Sequence, residues 1–152
     1  MVKEDVFIMD VKDEERVYLM HINCPFITNE MRAKKWRELK NDKWTYFAGL
    51  DWSGITDEMR KEKWYEMKDW LWIYEAGKNW NGITDEMRKE RWNKIKDEYW
   101  IYRAGKSWEG ITDEMRGVRF KELKDLEYIL LSIRDWDGVN TNDIFEKILT
   151  TE

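Results

Sequence analysis

Between Asp85 and Ala104 the apolar residues recur with a helical period. At 100° per residue, Trp92, Ile95, Tyr99 and Tyr102 fall within about 80° of arc. Asp85, Glu86, Lys89, Glu90, Asn93, Lys94, Lys96 and Asp97 fill the opposite side. This pattern predicts one amphipathic helix of about 20 residues, spanning roughly 30 Å. Beyond Asp97, Trp100 and Ile101 point away from the stripe, and a helix that is apolar all round must be covered all round. The C-terminal half of the segment is therefore expected to be enclosed by neighbours, with Trp80, Trp108 and Trp136 as lids. A break near Asp97, giving two shorter helices, is the alternative. No Gly or Pro marks such a break, so one long or kinked helix is the primary expectation.

The same pattern is written four times. Blocks of 28 residues align without a gap at Pro25–Trp52, Ser53–Trp80, Asn81–Trp108 and Glu109–Trp136, and blocks two and three agree at 19 of 28 positions. A fixed period of this size signals stacked supersecondary units, each unable to bury its apolar face alone. Thr28, Thr56, Thr84 and Thr112 each precede acidic or amide residues and predict helix N-caps. Gly49, Gly77 and Gly105 follow Ala and are expected at the left-handed position that ends a helix. The predicted fold is all-α: tandem helical repeats stacked in one array and forming one folded unit. Residues 1–24 form an N-terminal capping segment and 137–152 a C-terminal partial repeat. At the front, "VFIMDV" and "RVYLMHI" are expected to form a small β-hairpin, or else a capping helix. The tail "DGVNTNDIFEKILTTE" resembles the opening of a fifth block with one residue inserted, Thr141 being its cap and Ile144 and Ile148 its buried face.

Composition sharpens this reading. Of 152 residues, 39% are charged and 42% apolar, with 11 Trp, 7 Tyr and 5 Phe. That aromatic content argues against disorder, because each buried ring removes about 150–250 Å² from water. A net charge of −5 with interleaved signs gives no broad basic footprint for a phosphate backbone. No window reaches the roughly 18 apolar residues of a membrane span. A single Cys and the lack of a secretory leader pattern lead to the expectation of a cytoplasmic protein that does not engage membranes.

Few residues suggest chemistry. Arg32, Arg60, Arg88 and Arg116 recur in the apolar arc, four positions before Trp36, Trp64, Trp92 and Phe120. They can stack on those rings, and either pair with acids of the next block to fix the register or present a ladder to an anion. "RAGKSW" ends like a phosphate-binding loop, but Trp100 stands where that motif needs its first Gly. His21 and Cys24 are the only His and Cys, too few for a closed zinc site, and they leave no catalytic triad to draw. No cofactor and no catalysis are expected. The string "WIYRA" resembles tandem repeats of the half-tetratricopeptide type. Those are longer per unit and helix-paired, so nothing is carried over.

The positions that vary between blocks are the candidate binding residues: Trp70, Tyr65, Arg103, Asn93, Glu75 and Phe47. Exposed Trp, Tyr and Arg have the composition of an interaction hot spot. The expected function is a non-catalytic module that binds another protein, such as an adaptor, or an inhibitor carried by a virus or mobile element. Nucleic-acid or nucleotide binding through the Arg ladder and Trp stacking is the alternative, and self-association is a further possibility.

Overall fold

Each block folds as two short helices. In the third block, Ile95 turns to an extended ψ of 131° and ends one helix, and the Asp97 carboxylate accepts a hydrogen bond from Tyr99 N and starts the next. Leu39, Met67 and Leu123 repeat the extended turn, and Asn41, Asp69 and Asp125 repeat the cap. The single 20-residue helix is thus corrected to a pair. The break is made by an apolar residue anchored in the core followed by a capping Asn or Asp, and it needs neither Gly nor Pro.

The computed structural model describes residues 10–150. Its helices are α1 (Val11–Asn23), α2 (Asn29–Glu38), α3 (Asp42–Asp51), α4 (Asp57–Glu66), α5 (Trp70–Asn79), α6 (Asp85–Lys94), α7 (Glu98–Ser107), α8 (Asp113–Glu122), α9 (Leu126–Asp135) and α10 (Thr141–Thr150). The even-numbered helices open the repeats and are termed A; the odd-numbered ones close them and are termed B. Thr28, Thr56, Thr84 and Thr112 cap the A helices as expected, each accepting from the backbone N–H three residues on at 3.2 Å. The chain divides into two compact units, residues 1–82 and 83–152.

Both ends keep the 28-residue register. Residues 16–22, expected as a strand, lie inside α1, a B helix with Tyr18 at the place of Tyr46. The other proposed strand falls almost wholly outside the described residues. The tail has no insertion: Asn140, 28 positions after Thr112, accepts from Asp143 N at 2.8 Å and replaces Thr141 as the cap. Ile144 is half-buried and Ile148 exposed, so they are not the buried face expected of them.

In the first unit, B helices pack side by side, α1 on α3 and α3 on α5, and α4 packs on α5. The indole N–H of Trp64 in α4 donates to Ile73 O of α5 at 2.9 Å, tying the two helices of one repeat. Trp80, just beyond α5, donates to Tyr46 O of α3 at 3.0 Å, tying one repeat to the preceding one. Gly49 makes room for that indole: an added Cβ would sit 2.5 Å from Trp80. Gly49 and Gly105 are therefore buried helix residues at a close approach, and not the left-handed ends expected of them. Positive φ falls instead on Gly54, Gly82, Gly110 and Gly138 in the loops before the A helices.

The second unit repeats this. Trp92 donates to Ile101 O at 3.2 Å and Trp136 to Tyr102 O at 3.1 Å. α7 packs on α9 and on α6. Burying each indole stabilises by roughly 4–6 kcal/mol in area terms, so aromatic weight compensates for short helices.

Polar groups seal the joints between repeats. Glu14 is buried and accepts from Lys40 N and Asn41 N, the latter at 3.0 Å. Asp42 accepts from Lys68 N and Asp69 N at 2.9 and 2.7 Å, and Glu98 from Lys124 N and Asp125 N at 2.7 and 3.0 Å. At the same turns, cations reach the carbonyls: Lys63 donates to Leu39 O at 2.9 Å and Arg119 to Asn93 O at 2.9 Å. A cation from one A helix thus satisfies the last carbonyls of the A helix before it. Burial lowers the Lys63 pKa, with Glu66 opposing the shift.

Candidate functional site

The recurring arginines are held by backbone. Arg60 Nε donates to Asn81 O at 2.8 Å, its Nη1 to Ile55 O at 2.8 Å and its Nη2 to Asp57 at 2.5 Å. Arg88 makes the same bonds to Glu109 O, Ile83 O and Asp85, and Arg116 to Asp137 O, Ile111 O and Asp113. Arg32 donates to His21 O at 2.9 Å and to Asn29 at 3.0 Å. In the three later repeats the acid belongs to the arginine's own block, and the link forward is to a loop carbonyl. The cations over Trp36 and Trp92 are Lys63 and Arg119, which come from the following A helix.

The six variable positions fall on different surfaces. Tyr65 and Asn93 are exposed at equivalent places on A helices. Trp70 is half-buried at the start of α5, in the position where Glu14, Asp42 and Glu98 accept linker N–H groups. Phe47, Glu75 and Arg103 share one half-buried position on B helices. Phe47 lies in a dense ring cluster. Its ring is 6.0 Å from Trp44, 5.2 Å from Tyr46, 5.6 Å from Trp72 and 6.0 Å from Tyr18. Arg103 lies over Tyr99 at 5.8 Å.

That cluster was half legible in the sequence. Trp44, Trp72 and Trp100, with Tyr128 after them, occupy one recurring B-helix position, and all four are only half-buried. Recurrence pointed to enclosure on every side, whereas each of these rings keeps one edge at the surface. Exposed Leu19, Leu50 and Leu71 stand on the same three helices, α1, α3 and α5. Lys43 sits 4.9 Å over Trp44, and Glu75 bonds Asn79 at 3.2 Å. The result is an apolar, aromatic surface with charge of both signs at its margin.

A cleft of about 310 Å³ in the first unit is lined by Trp36, Arg37, Lys40, Glu58, Met59, Glu62, Lys63 and Glu66. It holds neither Ser nor Cys nor His. His21 is buried, stacked on Trp52 at 4.9 Å and bonded to Val17 O. Burial lowers its pKa; the Val17 carbonyl opposes the shift, and Lys35 and Arg32 add to it. Among the described residues no group of three or more His, Cys, Asp or Glu is placed to hold a metal, and no helix is long and apolar enough to cross a membrane.

These features define an all-α tandem-repeat protein built of helix pairs. Comparison with protein-family models, with curated proteins and with solved structures finds no match.

Proposed function

We propose that this chain is a non-catalytic interaction module that binds another protein through the aromatic face of α1, α3 and α5. The observation that carries this reading is the half-exposed cluster of Trp44, Phe47 and Trp72. Clustered Trp on a rigid helical support loses little side-chain entropy on binding and supplies large contact area. Exposed leucines extend that area, and the marginal charges of Lys43 and Glu75 set specificity. An adaptor or an inhibitor of a host protein is the form of function that such a surface suits. The nucleic-acid alternative draws no support from the recurring arginines, because Arg60, Arg88 and Arg116 spend donors on carbonyls and on Asp.

The test uses the full chain and a Phe47→Ala/Trp72→Ala variant, matched for helicity by circular dichroism. Proteins retained from source cells by the wild type should be lost with the variant. Equal retention by both would remove this face from the function. Retention of nucleic acid that falls steeply with salt would favour the alternative.

A further inference from the structure

In the sequence Gly follows Asn at one place, Asn81–Gly82. The pair forms the turn between α5 and α6. The Asn81 side chain is exposed, and neither its amide nor the Gly82 N–H makes a hydrogen bond to another described residue. Gly82 has a φ of +92°, and an added Cβ would lie 2.6 Å from Asp57 Cβ. The turn therefore demands glycine, and with it a backbone nitrogen that no side chain shields. Ser53, Glu109 and Asp137 stand at the place of Asn81 in the other loops. Of the four, Asn81 alone carries a carboxamide.

A second observation concerns the carbonyl of the same residue. Arg60 is buried, and its Nε donates to Asn81 O at 2.8 Å. The rest of its guanidinium is held by Ile55 O and by Asp57. A fixed cation thus rests on the main-chain oxygen beside a free amide.

We propose that Asn81–Gly82 is a site of spontaneous modification to isoaspartate, with Arg60 directing the outcome. The Gly82 nitrogen gives up its proton to solvent and bonds to Asn81 Cγ. The Cγ–Nδ2 bond breaks, and Nδ2 leaves as ammonia, closing a five-membered imide. Water then adds to the imide carbonyl that was Asn81 C=O, and the bond from that carbon to the Gly82 nitrogen breaks. The chain now runs through Cβ and Cγ, and the former main-chain oxygen belongs to a free α-carboxylate. Arg60 already donates to that oxygen, so it stabilises the charge that develops there and pairs with the product. Opening at the other imide carbonyl gives ordinary aspartate and gains nothing from Arg60. This inference is independent of the aromatic face.

Mass spectrometry of the purified full chain, incubated at neutral pH, tests it; electron-transfer fragmentation separates isoaspartate from aspartate. The peptide holding residues 81 and 82 should gain the mass of an amide-to-acid exchange. Its isoaspartate-to-aspartate ratio should stand about two- to fivefold above that of the same chain held unfolded in urea, the advantage that a partly exposed ion pair supplies. Asn81→Gln should show no such gain, because its longer side chain closes a ring far more slowly. An Asn81 amide that stays intact in the folded chain while the unfolded chain converts overturns the proposal. So does a ratio equal in the two states, which would leave Arg60 without a part, or an equal gain in Asn81→Gln, which would place the chemistry elsewhere.

Discussion

Trp92 has no exposed surface, and three neighbours explain why: Ile101 O accepts its N–H, Arg119 lies over its ring and Trp136 packs at 6.2 Å. Trp92→Ala should lower stability by roughly 3–5 kcal/mol, read from denaturant melts; an unmoved midpoint would contradict its place in the core. Ser132 makes the opposite case. It is wholly buried, its hydroxyl has no partner, and the equivalent residues are Ala48, Ala76 and Ala104. Ser132→Ala should therefore stabilise by about 1 kcal/mol, since an unsatisfied buried hydroxyl is removed. His21 occupies the place that Gly49 holds a repeat later, and it is buried with a lowered pKa. The unfolded chain then binds the proton more readily than the folded one. Stability should fall as pH drops below the ordinary histidine range of about 6.5. In His21→Gln that slope should flatten in urea melts taken at successive pH values. The sequence alone marked Trp92 as core, because its position recurs. It did not mark His21 as a stacking partner, because no periodic rule places one imidazole under one indole.

At the scale of elements, the A-helix caps were plain, since Thr followed by acids is a strong start signal. The division of each block was not. Asn41, Asp69, Asp97 and Asp125 read as polar-face residues of a continuous helix, and Leu39, Met67, Ile95 and Leu123 read as its apolar stripe. The signal was present in the stripe itself, which jumps to another side at Trp100 and Ile101 because a new helix has begun there. Asp97→Ala removes the hydrogen bond to Tyr99 N and should cost about 1 kcal/mol. Hydrogen exchange should show the loss concentrated in the first turn of α7. Faster exchange spread evenly along α6 and α7 would favour a continuous helix instead. The Gly49 position belongs to the same scale. There Ala would gain about 1 kcal/mol of helix propensity but force its methyl to within 2.5 Å of Trp80. Net destabilisation of about 1–3 kcal/mol is expected, read from the midpoint of denaturant melts.

At the scale of the whole molecule, the repeat keeps the joints within each unit local in sequence. Trp80 reaches Tyr46 across 34 positions, and Lys63 reaches Leu39 across 24. Such short separations favour fast folding, and stopped-flow refolding should be complete within roughly milliseconds for its main phase. A dominant phase of seconds would mean that distant contacts limit the process. The binding face was the least legible part, because a position that recurs for packing and one that recurs at a surface look alike in a single chain. Trp44 and Trp72 are told apart from Trp36 and Trp64 only by what lies over them.

The cations that close α2, α6 and α8 from the following A helix give synthesis a direction. A ribosome releases the chain from its N-terminus, so the last carbonyls of α2 emerge well before Lys63 does. Each of these helices waits about one repeat for its lid, and the nascent chain should advance with a single unfinished step trailing at the tunnel exit.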